Sequence, residues 1–142
     1  MTETIPADFE PITFDVPFLD LIGPFYRRVN DPRDHLGILV EKRHCNSVGV
    51  AQGGLLATLA DIAAARALVA RRGNGQRALT ISLNTDFVGT APLGAWLEAH
   101  VHIKKEQGGI GFAICEIRHG ERVIVAASGA FTVRADAPVL PY

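Results

Sequence analysis

The chain has 142 residues, 48% of them hydrophobic and 20% charged, with a formal net charge of −1 and a sequence pI near 6.5. That length buries the core of one ordinary domain, and the composition is globular rather than disordered. The balanced charge offers no global basic field, so nucleic acid is not an expected partner; an anionic small ligand needs only a few local Lys or Arg.

Residues 1–13 are acidic, carry no apolar run behind basic residues, and read as a flexible leader with no signal peptide. Phe14, Phe18, Leu21, Ile22 and Phe25 then recur at helical spacing, with Asp15 to cap, Pro17 for the first turn and Gly23-Pro24 as a stop. Asn30-Asp31-Pro32 marks a turn, and His35 to Lys42 follows as the first strand, with Leu36, Ile38 and Val40 on one face. A loop from Arg43 to Gln52 leads into a long Ala-rich helix that starts at Gly53-Gly54. Arg71 and Arg72 suit the negative end of its dipole, and Gly73-Asn74-Gly75 ends it. Asp61 and Arg66 interrupt its apolar run, which makes it a core helix rather than a membrane span.

Four strands are expected next, over Ala78–Val88, Trp96–Lys104, Ile110–Arg118 and Val123–Val133, joined by turns at Pro92-Leu93-Gly94, Gly108-Gly109 and His119-Gly120. In the first of them Leu79, Ile81, Leu83 and Phe87 alternate strictly with Thr80, Ser82, Asn84 and Asp86. Turns this short make the strands antiparallel neighbours. The fold class is therefore α+β: five antiparallel strands that bury one face against the long helix, in a single domain over residues 1–142. Two cysteines, Cys45 and Cys115, form no disulfide framework and fit a reducing, cytoplasmic setting.

The chemistry concentrates in the long helix. Ala51 and Gln52 are poor caps, so the first N–H groups lack an internal partner. Gly53 and Gly54 let a ligand approach that backbone, and with the dipole they suit a carbonyl oxygen gaining charge; tight packing with hydrated donors is the plainer reading. Asp61 is flanked by Leu59, Ala60, Ile62 and Ala63. A carboxylate there needs a partner such as Arg66, or a job as general base or nucleophile. Gly53 and Asp61 are eight residues apart, roughly 12 Å along a helix, so one carbonyl reaches both only if two chains contribute. Asn46 in the loop donates or accepts, or simply turns the chain. Thr80 and Ser82 share the polar face of their strand, where a hydroxyl orients a water or only coats the sheet. His100 and His102 share a strand face, with no third residue to complete a metal site. Cys45 is a thiol to which no base is assigned, and Cys115 reads as core.

Together Asn46, Gln52-Gly53-Gly54 and Asp61 resemble the Asn…His-Gly-Gly…Asp motif of hotdog-fold acyl-CoA thioesterases, in their phenylacetate-pathway (PaaI-type) branch. The spacings of six and nine residues match, as do FLDLIGPFYRR, HCN, LATLAD and GTAPLG around them. The likeness spans roughly Phe18 to Arg134. It implies a five-stranded hotdog sheet around the long helix, sheets joined edge to edge in a homodimer or a dimer of dimers, and a site at the dimer interface. It further implies that the Gly53 N–H polarises a thioester carbonyl, that Asp61 of the partner chain activates water or attacks, and that Asn46 positions carbonyl or water. Gly54, Thr80 and Ser82 would contact substrate, and the first helix would cover the core or wall an acyl pocket. No cofactor or metal is implied, coenzyme A being part of the substrate. Lys104, Lys105, Arg77 and Arg118 are candidates for its phosphates.

The departure is Gln52, where many members have His. Gln bonds and orients but moves no proton near neutral pH, and His44 is the nearby substitute or a packed loop residue. The expected activity is acyl-CoA hydrolysis. The alternatives are a non-catalytic acyl-CoA binder and an enoyl-thioester hydratase or dehydratase, which needs the proton shuttle that Gln52 lacks.

Overall fold

The computed structural model describes residues 1–73 and 75–135; Asn74, expected in the turn after the long helix, lies outside them. The elements run β1 (Phe9–Ile12), α1 (Pro17–Ile22), β2 (Phe25–Arg28), β3 (Leu36–Leu39), a 3₁₀ turn (Lys42–His44), α2 (Gly53–Arg72), β4 (Arg77–Phe87), β5 (Trp96–Gln107), β6 (Ile110–His119) and β7 (Arg122–Arg134). One antiparallel sheet contains all seven strands, in the order β1-β2-β3-β5-β6-β7-β4. It wraps α2, which packs on β4, β5, β6 and β7. This is the hotdog arrangement.

Among the described residues, α2 alone is long and apolar enough to cross a membrane by length and composition. Here it buries Leu55, Leu56, Leu59, Ala60, Ala63, Ala64, Ala67 and Leu68 instead. Leu59 meets Ile38, Leu97, Ile117 and Val125 in one core, and each such side chain contributes roughly 1.5–3 kcal/mol by leaving water. The alanines let the sheet come close. At Gly111 the approach is so tight that a Cβ would stand 2.6 Å from Leu68 Cδ2.

The sheet has seven strands rather than five. β1 pairs with β2 and β2 with β3, so residues 1–13, expected as a flexible leader, carry a strand. Glu3 fixes that segment further. Its N–H donates to Gly94 O at 2.8 Å, its carboxylate accepts the Trp96 N–H at 2.9 Å, and it meets His119 Nε2 at 2.6 Å. The His119 contact and the Trp96 N–H hold the Glu3 carboxyl below the usual range. FEPI and FYRR are four residues each, too short for a visible period. Phe25, counted toward the first helix by its spacing, begins β2 instead. β3 also stops at Leu39, short of the expected Lys42, which instead begins the 3₁₀ segment.

Candidate functional site

α2 begins without a side-chain cap: Gln52 stands at the N-cap in extended conformation and bonds no helix N–H through its side chain. Its carbonyl accepts from Leu55 and Leu56 at 3.0 and 3.2 Å, which leaves the Gly53 and Gly54 donors at the open end. One side of that end is walled. A Cβ on Gly53 would sit 3.4 Å from the Phe87 ring, whereas Gly54 meets nothing within 4 Å. On the Gly54 side lies a groove of about 230 Å³, lined by Phe18, Ile22, Gln52, Leu55 and Thr58 with Arg43 and His44. Phe87 was legible only as an alternating strand residue; nothing in the sequence says that β4 ends over the helix start.

The loop before the helix is internally bonded. Asn46 Oδ1 accepts the Val48 and Val50 N–H groups at 2.9 and 3.3 Å. That is turn chemistry, and it leaves the Asn46 amide group as the part able to act outward. His44 is buried. Its Nδ1 accepts the Glu41 N–H at 2.9 Å and its Nε2 meets Ile22 O at 2.7 Å. A backbone N–H must donate to Nδ1, so the proton sits on Nε2 and points at a carbonyl. Both ring nitrogens are thus committed, Nδ1 to the loop's own backbone and Nε2 to the end of α1. Arg43 adds bonds to Leu21 O and Gly23 O; this clamp on α1 had no sequence signal.

Asp61 is half-buried rather than enclosed. Its Oδ1 accepts the Thr80 hydroxyl at 2.6 Å. It forms no pair with Arg66, which goes instead to Asp34 at 2.5 Å and lies over the Phe14 ring. The contact with Thr80 depends on an irregularity in β4. Thr80 pairs with Phe131 but Ser82 pairs with Ala130, so Ile81 is an extra residue. Phe131 faces the core, hence Thr80 faces α2, while Ser82 lies on the other side of the sheet. There Ser82 lines a groove with Asn84, Lys104, Phe112 and Ser128. The expected shared face of Thr80 and Ser82 is therefore corrected: strict alternation fails at the bulge, and Ser82 faces away from Asp61. The same bulge leaves Leu79 and Ile81 exposed at 54% and 56%, although Leu83 packs on the core.

Other candidates are engaged within the fold. Cys115 is buried, and burial aided by Glu116 pushes its thiol up to about 12. The Cys45 thiol faces Glu41 O at 3.5 Å. His100 packs against His35, ring centroids 5.2 Å apart, and Arg118 is held by Glu116 at 2.5 Å.

The sequence profile of the thioesterase superfamily matches residues 48–126, a span that holds Gly53, Asp61 and Thr80. A protein of Pseudomonas aeruginosa provisionally named an esterase is 39% identical over 128 residues, covering 89% of this chain and 96% of its own. Mouse acyl-coenzyme A thioesterase 13 is 28% identical over 93 residues, 66% of each chain. Among solved structures, a single-substitution mutant of the phenylacetic acid degradation protein PaaI from Thermus thermophilus superposes with a TM-score of 0.71 at 22% identity, over 82% of this chain and 97% of that one.

Proposed function

This chain belongs to the thioesterase superfamily and is a thioester hydrolase, and on that premise we propose that it cleaves acyl- or aroyl-CoA to coenzyme A and a carboxylic acid. The relative named acyl-coenzyme A thioesterase 13 supports that substrate class. The observation that carries the mechanism is Asp61: a carboxylate on a core helix, half-open, with one oxygen held by Thr80 and no cationic partner among the described residues. Oδ2 is then free to take a proton from water. The water oxygen attacks the thioester carbon, Asp61 accepts its proton, and the oxyanion is stabilised by the Gly53 N–H at the helix dipole's positive end. Collapse breaks the C–S bond, the leaving thiolate takes the proton from Asp61, and coenzyme A and the carboxylic acid depart. No step in this sequence calls for a metal.

Gly53 and Asp61 stand too far apart along α2 for one carbonyl, roughly 12 Å, so the two come from different protomers of a homodimer. β4 supports such pairing. It is an 11-residue terminal strand whose last residue, Phe87, and the following Val88 are exposed, whereas the opposite edge, β1, has four residues and a proline. The groove between α1 and Leu55 suits the acyl group, with Gln52 orienting the thioester at its mouth and Asn46 donating its amide. A hydratase reading fares worse, because Gln52 moves no proton and both His44 nitrogens are occupied.

The test is a panel of acyl- and aroyl-CoA esters read by free-thiol release. The reading expects steady turnover of at least one ester, abolished in Asp61→Asn. Tight coenzyme A binding with no release across the panel would instead identify a binder.

A further inference from the structure

A third groove, of about 320 Å³, lies away from this site, lined by Pro32, Arg33, Ala67, Arg71 and the β5 segment Val101–Ile103. Ala67 and Arg71 follow Asp61 by six and ten residues on α2, roughly 9 and 15 Å along the axis. The groove exists because β3 is short. Its pairing with β5 ends at Leu36↔Ala99, while β5 continues to Gln107. The Val40 N–H donates to Ala95 O, so alternate residues from Ala95 onward bond toward β3, and in phase the main-chain groups of Val101 and Ile103 face the vacated side. No strand among the described residues pairs with that edge beyond Ala99.

The charges around it do not balance. Asp31 is taken by His35 and Asp34 by Arg66. Glu106 is shared between Arg71 at 3.6 Å and Arg72 at 3.5 Å, distances too long for tight pairing. Arg33 has no side-chain ion partner among the described residues. Two guanidinium groups thus border a floor of Ala67, Val101, Ile103 and Pro32. An added peptide strand does not fit the edge, because a bulge falls between Ile103 and Lys105 and two lysines follow. The volume suits a small molecule.

We propose that this groove is a non-catalytic binding site for an amphiphilic monocarboxylate. Its head pairs with Arg33 and Arg71, and its apolar body lies along Ala67, Val101 and Ile103. Arginine is the side chain whose fork matches a carboxylate, and a charge-assisted bond outweighs a neutral one.

The test titrates the intact protein with octanoate, octanol and octylamine, followed by ¹H–¹⁵N NMR. Octanoate is expected to shift the amides of Arg33, Arg71, Val101 and Ile103 saturably, and the other two compounds are not. Arg33→Gln and Arg71→Gln each weaken octanoate binding by about tenfold, with acyl-CoA turnover unchanged in both. Four results overturn the proposal: no octanoate shifts at millimolar concentration, equal binding of octanol, affinity unaltered in Arg33→Gln, or shifts confined to Phe18 and Gly53–Thr58.

Discussion

The Thr80 hydroxyl donates to Asp61 Oδ1 at 2.6 Å, joining an edge strand to the middle of the core helix. A carboxylate so held keeps one oxygen for a water and has its rotamer fixed by the other. Asp61→Asn is expected to lower kcat on the best acyl-CoA by about 10²–10⁴-fold with little change in KM. Thr80→Val lowers it by about 10- to 100-fold, while Thr80→Ser retains most of it. Thiol release checks both, and equal activity of Thr80→Val and wild type would refute the orienting role.

The proposed sharing of each site between two chains has an arithmetic consequence. In a heterodimer of an Asp61→Asn chain with a Gly53→Val chain, one site keeps the intact Gly53 of the first and Asp61 of the second, and the other site has neither. Each variant alone is inactive, but a statistically reassorted mixture should recover about a quarter of wild-type turnover. Recovery of none would place both groups within one chain's site.

His44 is expected to act through structure and not through protons. His44→Leu strands the Glu41 N–H and the Ile22 carbonyl, at a cost of about 2–4 kcal/mol. The midpoint of denaturant unfolding should fall accordingly, and KM should rise as α1 loosens from its groove. The shape of the kcat–pH profile should stay as in wild type; loss of a limb near neutral pH would mark His44 as a proton carrier.

The histidine pair near β3 sets a pH response of stability. Burial and the facing His35 lower the His100 pKa, with Arg118 and Arg28 acting the same way and Glu98 opposing. Below its ordinary value of about 6.5 the unfolded chain therefore binds more protons than the folded one, so stability falls as pH drops from about 7 toward 5. His100→Asn should flatten that part of the curve. The lowered carboxyls of Glu3 and Asp31 act only at more acid pH, through the lower carboxylate range. Urea midpoints at pH 7.5 and 5.5 for both proteins measure the difference.

Trp96 packs edge-on to Phe9 and Tyr26, with centroids 5.0 and 5.6 Å away, and it rests on Gly37. A Cβ there would meet the indole at 2.3 Å. Gly37→Ala is expected to destabilise the protein by about 1–3 kcal/mol and to change the Trp96 fluorescence, as the ring leaves its buried slot.

Residue periods and spacing determine much of this protein. The α2 bounds, the four long strands and the hairpin at Gly108-Gly109 follow from runs of ten or more residues, in which a period of 3.6 or 2 repeats often enough to be read. The open helix start follows from the absence of a capping side chain before Gly53. Tertiary structure decided what lies between these elements. β1 and β2 form because short segments find a sheet edge, a long-range pairing that four residues do not announce. Arg66 leaves Asp61 for Asp34 because the loop after β2 folds over the helix. Above all, one extra residue in β4 reverses the phase of the strand. An alternating sequence puts Thr80 and Ser82 together; the bulge at Ile81 turns Thr80 to Asp61 and Ser82 away. Such a bulge arises from how β4 must bend along β7, and only the folded sheet carries that information.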